Sequence, residues 1–400
     1  MSRAEPSGPL AGIRVVDLTS VVSGPAATGV LADQGARVIK VEPLTGDMTR
    51  WTRAAFGRLP PLFISCNRGK QSVAVDLKRP EGTEILWRLL ETADVFVQNF
   101  RPGAIERLGF AAETVRERHP ALIYMSISGV GETGPYADKR VYDPVIQALS
   151  GMADIQSDPE SKRPHMVRTL IADKTTAIYA AQAITAALLH RERTGEGQVV
   201  RLSMLDALVS HIWPEGMAPF TAVDQGTEEA WNSGHDLIFE TEDGYLVVGT
   251  VTDAEWHGLC RALNRPDWLE DPRFQTPALR SENRQARLTM IEEILRSGTT
   301  GHWMAAFERE DVPCAPVHRR RAMIDDPQVQ ANDLIVELDH PGVGPVRQAR
   351  PAARYEQTPS LIGGPAPELG EHTSAVLAEI GYSVEEIEAL RSAGIIGAGD

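Results

Sequence analysis

Apolar and polar positions along the first half of the chain come in blocks whose period changes from strand-like to helix-like and back. "IRVVDLT", Ile13 to Thr19, is a β-branched run and predicts a buried strand. In "SGPAATGVLADQG", which follows, Ser23 is placed to cap a helix, Pro25 suits its first turn and Gly35 its end. Arg37 to Glu42 predicts a second strand, Glu81 to Ala93 an amphipathic helix, Asp94 to Phe100 a third strand and Ala121 to Gly131 a fourth. Strands alternating with helices predict a doubly wound α/β domain, which binds ligands at the carboxyl ends of its strands.

A long helix is predicted from Thr175 to Arg193, opening just after Asp173. Ile178, Gln182, Thr185 and Leu189 run along one face, and Ala177, Ala181, Ile184 and Leu188 widen it. Arg191, Arg193 and Gly195 suit its C-terminus. "QVVRLSMLDALVSHIW" predicts another strand and helix. Periodicity then fades, and 214–230 reads as a linker. A hairpin around Glu242-Asp243-Gly244 and helical segments in 253–265 and 283–310 predict a smaller α+β domain over 231–325. A second linker covers 326–350. The Pro- and Gly-rich chain from Pro341 predicts a surface path to two terminal helices, Thr373 to Ile380 and Val384 to Ala393.

Composition narrows the function. A net charge of -15 over 400 residues argues against general nucleic-acid binding, yet a local basic patch still permits a small anionic ligand. Cys66, Cys260 and Cys314 are odd in number and far apart, so neither a disulfide framework nor a zinc site is expected. The N-terminal residues lack the apolar core of a secretory signal, and no apolar run approaches the roughly 18 residues of a membrane span. A cytoplasmic setting, without membrane, metal or nucleic acid, is the expectation.

Four stretches carry candidate chemistry. The turn after the first strand, S-G-P-A-A-T-G, lacks the second glycine of a dinucleotide fingerprint, so an NAD or FAD site is disfavoured even with Glu42 at the next strand end. "QNFRPGAIERLGF" (Gln98 to Phe110) places Arg101 and Arg107 beside Phe100 at a strand's carboxyl end, where guanidinium groups suit phosphates; its plainer reading is a turn into a solvated helix. "GETGPYADKRVYDPVIQ" offers Lys139, Arg140, Tyr142 and Asp143, or simply a surface loop. Asp173 at a helix mouth is most often a cap, and as a nucleophile it would use the same position, with the helix terminus favouring its ionised form. G-x-S-x-G, Walker A and H-E-x-x-H sequences are all absent.

Taken in order, "PLAGIRVVDLTSVVSGPAAT", "GARVIKVEP", "GDMTR", "NRGKQSVAVDLKRPEG", "VQNFRPGAIERLGF", "HRERTGEGQ", "SMLDA", "DPRF", "VPCAPV" and "LGEHTSAVLAEIGYSVEEIEALRSAGII" resemble the family III CoA-transferases (CaiB/BaiF type) along nearly the whole chain. That family includes formyl-CoA transferase, carnitine CoA-transferase and α-methylacyl-CoA racemase. The resemblance implies a Rossmann-like large domain built from both chain ends (1–213 and 351–400), a small domain between, and an interlocked, ring-like homodimer. It implies Asp173 as nucleophile, forming an aspartyl anhydride with a donor acyl-CoA and then an aspartyl-CoA thioester that a carboxylic acid acceptor resolves.

The coenzyme A contacts it implies are Val21, Val22 and Ser23; Val75, Asp76, Leu77 and Lys78; Asn99, Phe100, Arg101, Ala104 and Arg107; and Arg140, Val141, Tyr142 and Asp143. Three departures stand out. Pro43 replaces an arginine of some members. Tyr142 occupies the place of a racemase histidine, and a phenol is a poor base at neutral pH, while Thr252, with Glu255 nearby, falls near a second racemase acid. "EEAWNSGHDLIF" has only Gly234 where formyl-CoA transferases carry a glycine run. Transfer is therefore expected over the alternative, α-methylacyl-CoA racemisation or epimerisation.

Overall fold

The computed structural model describes residues 8–52, 59–158, 161–223 and 237–397; Gly234 and residues 224–230 of the expected linker lie outside these. Two compact units emerge. One holds residues 1–231 and 333–400, the other 232–332.

The larger unit is built on six parallel strands: β1 (Arg14–Leu18), β2 (Arg37–Glu42), β3 (Gln71–Ala74), β4 (Val95–Gln98), β5 (Ile123–Ser128) and β6 (Val199–Ser203). Their order is β3-β2-β1-β4-β5-β6, so the chain changes winding direction between β1 and β4. Successive side chains point to opposite faces. Val15, Val38, Val95 and Ile123 meet helices α1 (Ser23–Asp33) and α5 (Ile171–Thr194). Val16, Ile39, Phe96 and Tyr124 meet α3 (Pro80–Glu91) and the C-terminal segment. Burial on both faces explains why most of the strands read as largely apolar runs. Helices α2 (Pro61–Asn67), α4 (Asp143–Leu149) and α6 (Met204–Gly216) complete the part that shapes the site.

Helix α5 departs from expectation in two ways. It begins at Ile171, so Asp173 lies inside the first turn and is not the cap. Its buried stripe is mostly alanine (Ala172, Ala177, Ala180, Ala181, Ala187) with Ile184 and Leu188, while Ile178 and Leu189 point outward, 67% and 52% exposed. Packing against α1, itself rich in Ala and Gly, requires small side chains for close approach, so the larger residues do not mark the buried face.

Both ends of the chain contribute to this unit. Helices α10 (Thr373–Glu379) and α11 (Val384–Ser392) put Val376, Leu377 and Ile387 into the core beside β3 and α3. Ile396 pairs with Val75, and the Asp76 amide donates to the Ile395 carbonyl at 2.8 Å. β3 itself, with its polar Gln71 and Ser72, gives no apolar signal. Part of the expected linker and surface chain is in fact an antiparallel hairpin of β10 (Ile335–His340) and β11 (Gly344–Ala349). Gly342 and Gly344, at φ 74° and 89°, make its turn, and these glycines with Pro341 and Pro345 hid the strands.

The smaller unit pairs β7 (Ile238–Glu240), β8 (Tyr245–Val248) and β9 (Cys314–Pro316) antiparallel and covers them with α7 (Asp253–Ala262), α8 (Arg284–Leu295) and α9 (Thr300–Arg309). Trp256, Trp268, Phe274 and Phe307 fill its core. Thr252 and Glu255 form a capping box on α7, which gives both side chains a local structural role.

Beneath the strand ends of the larger unit lies a buried ionic cluster. The Lys70 ammonium donates to Asp17 (2.9 Å), to the Pro25 carbonyl (2.8 Å), to Thr28 (2.8 Å) and to Asn67 (2.9 Å). Lys40 donates to the Thr19 carbonyl at 2.8 Å and pairs with Asp47 at 3.0 Å. Burial alone would raise the Asp17 carboxyl, but Lys70 and Lys40, with the Thr19 and Thr28 hydroxyls, outweigh it and hold it below the ordinary carboxylate range. Removing one partner leaves a buried charge uncompensated. Lys70→Met is expected to lower stability by about 3–5 kcal/mol in urea unfolding. The Asp17→Asn/Lys70→Met pair is expected to recover part of that loss.

Candidate active site

Two cavities open at the carboxyl ends of the strands, where a doubly wound sheet binds ligands. The first, about 390 Å³, is walled by Leu18, Val41, Val75, Leu77, Phe100 and Leu108, with Lys78 among its polar residues. The second, about 320 Å³, runs from Arg101 and Arg140 down to Asp173 and Met204. Ser20, Met48, Asn99 and Phe100 line both, so the two adjoin. A long substrate with one apolar end and an anionic middle suits this shape: the cations Lys139, Arg140 and Arg101 border the second cavity and are exposed. Charge-assisted donors at such a border can hold phosphates in an otherwise acidic chain.

Asp173 is the third residue of α5. Its backbone N–H donates to the Asp143 carboxylate at 3.1 Å. Asp143 in turn accepts from the Gln147 amide at 2.6 Å, and the Gln147 carbonyl oxygen accepts from the Val167 N–H at 2.9 Å. Asp143 therefore acts as the capping anion of α5 and ties down the chain leading into it. It is buried and borders neither cavity.

The Asp173 side chain is only 8% exposed and borders the second cavity. Burial, and then the negative charge of Asp143, raise its carboxyl to about 6 against hydrogen bonds from the Ser23 backbone and side chain, which lower it. A helix terminus was expected to favour ionisation. Desolvation and a second carboxylate win instead.

Ser23 was expected as a cap, yet α1 takes Val22 as its N-cap and Ser23 is the first helical residue, free to turn its hydroxyl toward Asp173. The turn before it is tight. A side chain at Gly24 would lie 2.4 Å from the Thr19 Cβ, so only glycine lets α1 fold back on β1. Val21 sits at φ 71°, an unusual conformation for a β-branched residue.

The other expected contacts divide plainly. Val75, Asp76, Leu77 and Lys78 line the first cavity. Val21, Arg101, Arg140, Val141 and Tyr142 line the second, and Asn99 and Phe100 line both. Val22, Ala104 and Arg107 line neither. Pro43, flagged as a departure, is in the wall of the first. Sequence reasoning passed over Met48, Ser128 and Gly129 as wall residues, and Gln147 as a tether. It also passed over Asp17 and Lys40, whose signal was available: a lone charge inside each of two apolar strand runs. Among the described residues no group of three or more His, Cys, Asp or Glu is placed to hold a metal ion, and no helix is long and apolar enough to cross a membrane.

The chain is similar to known proteins along most of its length. The chain is 36% identical over 399 residues to human succinyl-CoA:glutarate CoA-transferase, covering 97% of this chain and 90% of that one. It is 33% identical to the formyl-CoA:oxalate CoA-transferase of Escherichia coli O157:H7, over 96% and 99% of the two chains. A crystal structure of Rv3272 from Mycobacterium tuberculosis superposes with a TM-score of 0.83 at 33% identity, covering 93% of this chain and 99% of that chain. Residues 10–373 match the profile of CoA-transferase family III, and the chain belongs to that family.

Proposed function

We propose that this family III CoA-transferase moves coenzyme A between an acyl-CoA donor and a carboxylic acid acceptor, with Asp173 as the covalent nucleophile. The observation that carries the reading is a buried carboxylate, pushed up to about 6, that faces a cavity bordered by cations. Such a group is mostly ionised at neutral pH and more basic than an ordinary aspartate, hence a better nucleophile. The neighbouring charge of Asp143 adds a second effect. Repulsion between the two carboxylates disappears when Asp173 becomes a neutral anhydride, so the ground state is raised relative to the acylated state.

The steps balance without an external base. An Asp173 oxygen attacks the thioester carbonyl, and the C–S bond breaks with its electron pair leaving on sulfur. The coenzyme A thiolate then attacks the Asp173 carbonyl of the mixed anhydride and expels the donor carboxylate, leaving an aspartyl-CoA thioester. The acceptor carboxylate attacks that thioester and releases the thiolate. The thiolate takes the new acyl group and frees Asp173. Arg101, Arg140 and Lys139 are the candidate phosphate partners, Phe100 and the first cavity the candidate seat of the apolar end. Tyr142 at the mouth of the second cavity supplies no base, which favours transfer over racemisation. The interlocked homodimer belongs to the same reading, supported by the outward Ile178 and Leu189 on α5; a dimer mass in light scattering would bear it out and a monomer would count against it.

With succinyl-CoA as donor and glutarate, oxalate or formate as acceptor, borohydride or hydroxylamine is expected to trap an adduct at Asp173, and Asp173→Asn is expected to abolish turnover. Turnover in that variant, or α-proton exchange without acceptor, would point elsewhere. The pH profile of kcat is expected to rise through about 6, since only the ionised carboxylate attacks.

Stability should show the opposite sign. The native carboxyl ionises at about 6 and the unfolded one near 3.8, so ionisation favours unfolding across that window. Asp173→Asn is therefore expected to stabilise the protein by about 1–3 kcal/mol above pH 6 and to make no difference below pH about 4, measured by urea unfolding at each pH.

A further inference from the structure

Asn99 stands across the point where the sheet changes winding direction. It follows β4 directly, and its side chain reaches the turn that leaves β1. Its Oδ1 accepts from the Ser20 N–H at 2.9 Å, and its Nδ2 donates to the Ser20 carbonyl at 2.8 Å. Both backbone groups of Ser20 are thus held by one side chain. The next residue, Val21, is left-handed at φ 71°, a conformation that glycine adopts freely and a β-branched residue does not. Two residues further on, Ser23 lines the same cavity as Asp173, near enough for its backbone and hydroxyl to lower that carboxyl. The far side of the turn is closed by Gly24 against Thr19. Strain of this kind persists only where neighbours over-determine it, and here the Asn99 pair acts beside the Asp47 carboxylate, which accepts from the Val21 N–H at 3.4 Å.

We propose that Asn99 is a positioning residue for the nucleophile: by clamping Ser20 it holds Val21 in the left-handed conformation and so aims the two Ser23 donors at the Asp173 carboxyl. The inference rests on Asp173 being the nucleophile. It gives Asn99 a task beyond lining the cavities. One Asp173 oxygen attacks, and the other remains as the carbonyl oxygen of the anhydride and of the aspartyl-CoA thioester. When thiolate or acceptor adds to that carbonyl, negative charge gathers on this second oxygen. Ser23, at the first turn of α1 and in the wall of the same cavity, has an N–H and an O–H to offer it. Ser23 is then a catalytic residue, and Asn99 acts through it.

The clamp has a test that a simple substrate contact would not pass. Asn99→Ala should lower kcat by roughly 10²-fold, the usual loss when a carbonyl-oxygen donor is removed. It should also move the acid limb of the pH profile upward, because the Ser23 donors no longer favour ionised Asp173. Adding Val21→Gly, which removes the steric objection to the left-handed turn, should restore at least roughly tenfold of kcat. Ser23→Ala should reproduce the pH shift without being rescued by Val21→Gly. If Asn99→Ala folds poorly, Asn99→Gln keeps a neutral donor and acceptor but displaces both by one methylene. It should show the same shift in smaller measure.

A readout independent of turnover separates this inference from the transferase reading. The stabilising effect of Asp173→Asn, followed against pH, should have its midpoint displaced upward in the Asn99→Ala background. A raised KM for acyl-CoA with kcat, acid limb and that midpoint all unchanged would overturn the clamp. An inactive wild type with the midpoint displaced would leave the clamp standing and sink the transferase reading.

Discussion

The pairing of Lys70 with Asp17 is the constraint from which the site is built. Both ions are fully buried, and such a pair persists only where every remaining donor and acceptor is satisfied. Lys70 meets that demand by reaching four oxygens on β1, α1 and α2. Asp17 meets it by accepting from the Thr19 N–H and the Thr19 and Thr28 hydroxyls. Lys40 extends the cluster through the Thr19 carbonyl to Asp47, which itself accepts from the Thr49 N–H at 2.9 Å. The loops after β1 and β2 are therefore fixed from below by charge, while their upper surfaces stay open as cavity walls.

Asp173 is subject to the same physics with a different outcome. Asp17 and Asp173 are both removed from water. One faces two ammonium groups and is held deprotonated; the other faces Asp143 and is pushed up toward neutrality. Burial thus leaves one carboxylate firmly charged and pushes the other up toward neutrality, according to the sign of the nearest charge. Glu42 belongs with the anchors: it chelates Arg50 at 2.7 and 2.8 Å and accepts from Ser72, so the acid that mimicked a ribose contact is spent inside the fold.

Legibility followed the strength of the local signal. β1, β2, β4, β5 and β6 were visible because strands of a covered parallel sheet are largely apolar, a buried charge or two aside. β3 was not, because its burial depends on the far end of the chain and not on its own composition. The buried face of α5 was misread because alanine carries little hydrophobic weight while close helix contact prefers it. Asp173 could be singled out, and its exact setting could not, since Asp143 approaches it from another helix. Most of the residues that the resemblance implies line the two cavities, whereas Asp143 is buried and holds the first turn of α5.

The pairing of Val75 with Ile396 has a consequence for biosynthesis. The loop Val75–Lys78 walls the first cavity, and its backbone is anchored by Ile395 and by the Gly397 N–H, which donates to the Ala74 carbonyl at 3.0 Å. A ribosome adding on the order of 5–20 residues per second makes that loop many seconds before it makes its anchor. Until then the nascent chain presents an unpaired β3 edge and a half-walled cavity. Ligand capture and protection from aggregation therefore arrive together and late, and a nascent chain stalled before residue 395 would be a client for chaperones and not a weak enzyme.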